Sequence, residues 1–183
     1  SNSLNKAAAN YVCDGVDDDV QINAALTVAA LTAGRVVLSE GTFNISNPII
    51  FPASNLILEG CGYPTYINGA GLADNEHCIQ MDALQFCVVR TLRLSTPAGG
   101  GTTRHCIYCN DMVASFTIEG IYIDSSDADG IRIEGDGAPN VYIRDCFILN
   151  CDGKGIYFNL DPAAGGWDIR ITGNYIYSSG GHL

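Results

Sequence analysis

Four aspartates in two similar stretches of sequence are the first candidates for chemistry. Asp127 and Asp152 are 25 residues apart at matching positions, and Asp124 and Asp129 flank the first of them. Carboxylate oxygens are the ligands that Ca²⁺ prefers, and two carboxylates can also act as acid and base on a glycosidic bond. Aspartate is equally common in turns, where its side chain hydrogen-bonds nearby backbone. The four residues therefore predict a calcium site, a catalytic pair at Asp127 and Asp152, or a set of turns.

Three aromatic residues recur at matching positions in the same stretches. Tyr122, Phe147 and Tyr175 follow one another at offsets of 25 and 28 residues. Their neighbours in sequence are apolar and aliphatic, so the alternation of a β-strand points the rings outward. A monomer rarely exposes a large apolar strip without a use for it. We expect these rings to bind carbohydrate by stacking or to form a lateral contact between identical subunits.

Cysteine and histidine also recur in register. Cys106 and Cys109 have the C-x-x-C spacing, but no second pair and no ligand-spaced histidine accompanies them, which argues against zinc. Aligned repeats place Cys78 over Cys106 at roughly the separation that a disulfide needs. The chain therefore contains either a Cys78–Cys106 bridge or two free thiols that fill the interior. His77 and His105 align in the same way, and an exposed or turn-lining role is favoured over a metal pair.

These residues belong to a repeat of 25 to 28 residues. Segments starting at Ser115, Asn140 and Asp168 share the same order of apolar residues, turns and glycines, and such a period is typical of solenoids. In a stack of parallel strands, equivalent positions lie about 4.8 Å apart. The predicted inward ladders are Ile118, Ile143 and Ile171, and then Ile123, Ile148 and Ile176.

The elements that position these ladders are one helix and many short strands. Helical spacing runs from Val20 through Ala24 and Val28 to Leu31, with acidic residues at 17–19 before it and Gly34 after it. Short apolar runs at 35–39, 42–45, 49–51 and 55–59 follow, separated by turn signals. Parallel strands need long connections, and here further strands supply them. The sequence predicts an all-β parallel β-helix of about six rungs at 35–183, after a leader and capping helix at 1–34. The whole forms a single domain.

The N-terminal residues resemble a known superfamily. Asp14-Gly15 and Asp18-Asp19 precede the helix, and Gly34-Arg-Val-Val-Leu-Ser-Glu-Gly-Thr-Phe43 follows it. This order resembles the cap and first rung of the pectin-lyase-like right-handed parallel β-helices, over residues 11–60. The resemblance implies a right-handed coil. It does not choose among the polysaccharide lyases, glycoside hydrolases, phage tailspikes and surface proteins that share this cap.

A second likeness concerns Asn150-Cys151-Asp152-Gly153, which resembles the N-x-D-G motif of the polygalacturonase family of glycoside hydrolases. That family continues with an Asp-Asp rung, a Gly-His-Gly and an Arg-x-Lys. Here the Asp-Asp rung and the Arg-x-Lys are missing, and His182 is followed by leucine instead of glycine. The positions that match, Asn150, Asp152 and His182, do not make a complete catalytic set. A calcium-assisted lyase would also need a base, for which Arg132 or Arg144 is available.

Charge and composition exclude several classes of function. Nine basic residues against 20 acidic ones give a net charge of -11, which argues against nucleic acids and anionic membranes as partners. No apolar run is long enough to span a membrane, and the first ten residues contain no apolar signal-peptide core.

The last repeat breaks off without a capping element, so we expect an open C-terminal end that self-associates or continues in a longer chain. The sequence therefore predicts a structural or adhesive β-helix module of an extracellular, virion or cell-surface assembly that binds glycans. The alternative is a polysaccharide lyase or hydrolase acting on acidic polysaccharide.

Overall fold

The protein is a parallel β-solenoid, seen in a computed structural model that describes residues 9–97, 103–137, 140–161 and 167–177. One helix, α1 (Asp19–Ala30), precedes seventeen short strands in these ranges. The strands are β1 (Arg35–Val37), β2 (Gly41–Asn44), β3 (Ile49–Ile50), β4 (Ile57–Glu59), β5 (Thr65–Asn68), β6 (Ile79–Asp82), β7 (Val88–Arg90), β8 (Arg93–Ser95), β9 (Ile107–Asn110), β10 (Phe116–Glu119), β11 (Tyr122–Ser125), β12 (Ile131–Gly135), β13 (Asn140–Arg144), β14 (Phe147–Leu149), β15 (Ile156–Leu160), β16 (Asp168–Thr172) and β17 (Tyr175–Tyr177).

Each strand pairs with the strand three positions earlier in the chain, and this pairing produces three parallel sheets. Sheet A contains β1, β4, β7, β10, β13 and β16, and sheet B contains β2, β5, β8, β11, β14 and β17. Sheet C contains β3, β6, β9, β12 and β15. Each turn of the coil therefore contributes one strand to each sheet. The connection that a parallel pair requires is made by the two intervening strands. The predicted all-β solenoid is confirmed.

The predicted ladders are in register. Ile118 pairs with Ile143 and then Ile171 in sheet A, and Ile123 pairs with Ile148 and then Ile176 in sheet B. The first two members of each ladder are fully buried. Ile171 in β16 is exposed and Ile176 in β17 is half-buried, so the prediction of an inward Ile171 is wrong for burial although its register is right. The four buried members, with Ile176 packed against them, belong to a continuous core along the axis of the coil.

The capping helix forms where predicted, but it presents a different face to the core. Ile22 and Leu26 are buried, four residues apart on one side of α1. Val20, Val28 and Leu31, which the spacing placed on the packed side, are exposed. The helix packs on β1 and β3 at the first turn of the coil.

Asp18, directly before the helix, and Asp19, its first residue, bind the first rung through their side chains. Asp18 makes no side-chain cap hydrogen bond. Its carboxylate accepts from the backbone N–H of Gly15 and of Asn44, both at 2.9 Å. Asp19 accepts from the N–H of Ser46 at 3.0 Å. Both carboxylates are buried, and a buried carboxylate is stable when several donors satisfy it. The D-G-x-x-D-D segment therefore ties the cap to β2.

Candidate functional site

The outer face of sheet B carries a row of aromatic rings. Thr42, Tyr66, Arg93, Tyr122, Phe147 and Tyr175 occupy equivalent outward positions in its six strands. They face outward because their neighbours along each strand, such as Ile123 and Ile148, point into the core. We call the segment Tyr63, Tyr66, Arg93, Tyr122, Phe147 and Tyr175 the aromatic stripe.

The rings of the stripe contact one another from rung to rung. The Tyr122 and Phe147 centroids are 6.0 Å apart with an interplanar angle of 15°. The Phe147 and Tyr175 centroids are 5.6 Å apart at 33°. Phe147 is 50% exposed and Tyr175 54%. These distances and angles are typical of offset aromatic stacking, which fixes the rings while about half of Phe147 and of Tyr175 stays exposed to solvent. The predicted outward orientation of the three rings is therefore what the fold produces.

The other half of the stripe is more polar. The guanidinium of Arg93 lies 4.1 Å from the Tyr66 ring centroid and 4.7 Å from that of Tyr63. Tyr63 also packs edge-on against Tyr122, with centroids 4.8 Å apart. The Tyr66 hydroxyl shares a hydrogen bond with the hydroxyl of Ser95. Tyr63 belongs to the turn before β5, so the tertiary fold adds it to the row.

A second outward column runs beside the stripe. Leu149 pairs with Tyr177, two residues after Phe147 and Tyr175 respectively, and Tyr177 is exposed. Towards the N-terminal rungs the column becomes polar, where Asn68 donates from Nδ2 to Oδ1 of Asn44 at 2.9 Å. The surface therefore combines open apolar rings at one end with amide and hydroxyl groups at the other.

The four aspartates of the predicted calcium site do not converge. Nε of Arg93 donates to Oδ2 of Asp124 at 2.6 Å, and Nη2 of Arg93 donates to the same oxygen. Asp127 has a fully buried side chain 3.5 Å from Nε of Arg104. Carboxylates that already accept from arginines are poor candidates for cation ligands.

The remaining two aspartates differ from each other in their surroundings. Asp129 accepts from the Lys154 N–H at 2.8 Å and from Nη1 of Arg132 at 3.2 Å, whereas Asp152 is exposed. Within the described ranges, no group of three or more His, Cys, Asp or Glu side chains is arranged to hold a metal ion.

The residues that match the hydrolase motif are also dispersed. Asp152 follows the bridge between Ser126 and Cys151, so it is in register with Asp127 as predicted. However, Asp127 is buried and Asp152 lies on the surface. Asn150 has a φ of 50° and donates from Nδ2 to the Asp124 carbonyl at 3.1 Å, as a turn residue does. His182 lies outside the described residues. The positions that the structure describes therefore do not assemble an acid–base pair.

Both arginines considered as a lyase base form ion pairs with carboxylates. Arg132 contacts Glu134 at 2.6 Å and Asp129 at 3.2 Å, and Arg144 contacts Glu119 at 3.1 Å. An arginine between carboxylates stays protonated and cannot accept a proton at neutral pH.

The histidines lie in the connections before β6 and β9, in agreement with the turn-lining role, but they are buried and not exposed. Nδ1 of His77 accepts from the His105 N–H at 3.1 Å, and Nδ1 of His105 accepts from the Asp129 N–H at 3.0 Å. Each ring must therefore carry its proton on Nε2. Burial lowers the pKa of His77 to about 4, helped by the neighbouring His105 and Arg132, and burial also lowers the pKa of His105. The two rings act as neutral acceptors in the turns before β6 and β9.

The cysteines are free thiols in this structure. Cys78 and Cys106 are both fully buried and lie in register, as predicted. Their Sγ atoms donate to the carbonyls of Ser95 and Ser125 respectively, each at 3.4 Å. Burial, together with the hydrogen bond to Cys78, raises the pKa of the Cys106 thiol well above its usual value. The pair fills the interior as the free-thiol alternative describes, and a Cys78–Cys106 bridge stays a prediction for experiment.

Sequence reasoning missed Tyr63, Tyr66 and Arg93 of the stripe, and also Tyr177 in the column beside it. Tyr66 and Arg93 precede Tyr122 in the same column, but their repeats carry extra residues that shift the offset. Arg93 is also not aromatic, so a search for recurring rings passes over it. Tyr177 was detectable, because it lies two residues after Tyr175 and must share its face.

The described residues contain no helix of the length and apolar character that crossing a bilayer requires. No family model, curated protein or solved structure matches the chain. The aromatic stripe is therefore identified as the candidate functional site from its own geometry.

Proposed function

We propose that this protein is an adhesive β-helix module that binds a glycan chain along the aromatic stripe. The observation that carries the proposal is the row of rings at Tyr122, Phe147 and Tyr175, whose neighbouring centroids are 5.6 to 6.0 Å apart and of which the last two are about half exposed. The carbon-bound hydrogens on one face of a pyranose form an apolar patch, which can pack against the exposed apolar surface of these rings.

The spacing of the stripe suits a chain of sugars. Rungs repeat at about 4.8 Å along the coil, a distance comparable to the length of one pyranose unit. A glycan that lies parallel to the axis of the solenoid would therefore meet one ring per sugar. The polar groups in and beside the stripe, at the Tyr66 hydroxyl and the Asn68 amide, are suited to sugar hydroxyls at its edge.

The scaffold supports an adhesive role. Tyr122 and Phe147 sit on strands whose opposite face is fully buried, as Ile123 and Ile148 are. Neighbouring rings also stack on each other, so little side-chain entropy remains to be lost on binding. Rigid, repeated contacts of this kind favour a long polymer over a small molecule. Such glycans coat cells and particles, so the proposal places the module in an extracellular, virion or cell-surface assembly.

Affinity electrophoresis tests the proposal with gels that contain soluble polysaccharides, among them mixed-linkage β-glucan, galactomannan and dextran. We expect at least one to retard the protein. Phe147→Ala and Tyr175→Ala should each weaken binding about tenfold, which corresponds to about 1.4 kcal/mol. Tyr142→Ala is the matched control, because Tyr142 is an outward aromatic residue of sheet A and lies away from the stripe.

Two results would contradict the proposal. One is the absence of retardation in a broad panel of polysaccharides. The other is an equal effect of the Tyr142 variant. A second copy of the chain is the competing occupant of the stripe. Light scattering that showed a dimer dissociated by Phe147→Ala, without glycan binding, would assign the stripe to self-association.

A further inference from the structure

A closed ion pair lies within the aromatic stripe. Nε and Nη2 of Arg93 both donate to Oδ2 of Asp124, and about a quarter of each side chain is exposed. The ion pair is therefore shielded in part from water, where charge-assisted hydrogen bonds are stronger than on an open surface.

The remaining faces of the guanidinium are covered. Its centre lies 4.1 Å from the Tyr66 ring centroid and 4.7 Å from the Tyr63 centroid. The backbone of Asp124 is also fixed, because its carbonyl accepts a hydrogen bond from Nδ2 of Asn150 at 3.1 Å. The arginine thus extends the flat surface of the stripe, while its positive charge is neutralised within the protein.

A free arginine at this position would do something different. Guanidinium binds carboxylates in a bidentate fashion and is a common means of recognising acidic ligands. Asp124 occupies that role here, so a uronate on a bound glycan would have to compete with it. The net charge of -11 adds a further repulsion for polyanions.

We propose that Asp124 is the specificity-determining residue of the stripe, and that by closing Arg93 it selects uncharged glycans over uronate-containing ones. The inference rests on the proposed function, because it concerns what the same surface accepts. A neutral sugar loses nothing to the ion pair and stacks on the rings, whereas an acidic sugar meets a carboxylate where it needs a cation.

The test compares titration calorimetry with two probes of equal length, a neutral hexasaccharide drawn from whichever polysaccharide retards the wild-type protein and hexagalacturonate. The wild-type protein should bind the neutral probe and bind the uronate at least tenfold more weakly. Asp124→Asn keeps the shape but removes the charge. It should raise uronate affinity at least tenfold, with a strong dependence on salt, and change neutral affinity by less than threefold. Arg93→Leu should have the opposite effect and lower the affinity for the uronate.

Each outcome bears on one of the two proposals. If the wild-type protein binds neither probe and no polysaccharide, the proposed function fails and this inference fails with it. If it binds the neutral probe and Asp124→Asn gains nothing for uronate, the inference alone is overturned. A wild-type preference for uronate also overturns it. Arg93→Leu supplies an independent reading if Asp124→Asn does not fold, because loss of the cation should weaken uronate binding further.

Discussion

Two adjacent residues of β14 separate the core of the solenoid from its surface. Ile148 is fully buried, in register between Ile123 and Ile176. Phe147 is 50% exposed and contacts the rings of Tyr122 and Tyr175. Substituting each by alanine removes an apolar group from the same strand but from opposite faces. The pair therefore tests the assignment of inside and outside directly.

The expected costs differ for physical reasons. Ile148→Ala removes three carbons from a packed interior, and such changes lower the free energy of unfolding by about 2 to 5 kcal/mol. We expect about 3 kcal/mol, because Ile176 on the next rung is half-buried and can relax into the space. Phe147→Ala loses two ring contacts worth about 0.5 to 1.5 kcal/mol each. Because half of the ring is already in water, we expect a net loss of about 1 kcal/mol.

Urea unfolding followed by far-ultraviolet circular dichroism measures both values by linear extrapolation. Coincident transitions by tryptophan fluorescence would establish that one cooperative unit is being measured, which repeat proteins do not always satisfy. A loss of 3 kcal/mol or more for Phe147→Ala would refute the view that its ring is a surface feature. A loss below 1 kcal/mol for Ile148→Ala would refute the inward ladder.

Further predictions concern acid, thiols and tight packing. The pKa of His77 is about 4 in the folded protein, whereas the ordinary value, expected in the unfolded chain, is 6.5. The unfolded chain therefore binds more protons in this window, and stability should fall as the pH drops from 6.5 towards 4, with about 3 kcal/mol contributed by His77; a flat profile of urea midpoints would contradict this. In the native protein, iodoacetamide should label Cys61 first, because it is exposed and the other seven cysteines are buried; rapid labelling of Cys109 would be inconsistent with the core described above. Denatured but unreduced protein should yield eight alkylated thiols if Cys78 and Cys106 are free and six if they are bridged, and mass spectrometry distinguishes the two. Gly130→Ala should lower the melting temperature, because a Cβ there would lie 2.7 Å from the Gly155 carbonyl oxygen and 2.9 Å from Ile148 Cγ2, an overpacking that costs about 1 to 3 kcal/mol; an unchanged melting temperature would mean that the rungs separate easily at this point.

Much of the fold could be predicted from the offset between repeats. When parallel strands stack in register, a residue and its counterpart one repeat later become neighbours, so a one-dimensional alignment gives contacts directly. This is why the ladder from Ile118 to Ile143 and the row from Tyr122 to Phe147 could be predicted. The alternation of a strand then decides which of them is buried.

The prediction failed where the repeat is interrupted or where it ends. Extra residues between β5 and β8 and between β8 and β11 hide the place of Tyr66 and Arg93 in the stripe, since the offset is no longer constant. Burial at the last rung also departs from the pattern. Ile171 keeps its register and yet is exposed, because burial depends on a covering layer as well as on orientation.

The sequence by itself determined the solenoid, its register and the outward row of rings, because apolar periodicity and a constant offset specify these locally. Only the tertiary structure determined which charged residues pair with each other. Asp124, Asp127 and Asp129 look like one cluster in the sequence, but each pairs with a different arginine: Asp124 and Asp127 with arginines of the preceding rung, and Asp129 with Arg132 three residues later. The partner of a long side chain depends on its length and rotamer and on which groups lie nearby on the next rung. The spacing of residues in the sequence does not specify these. That choice of partners disperses the expected calcium site and closes Arg93 within the stripe.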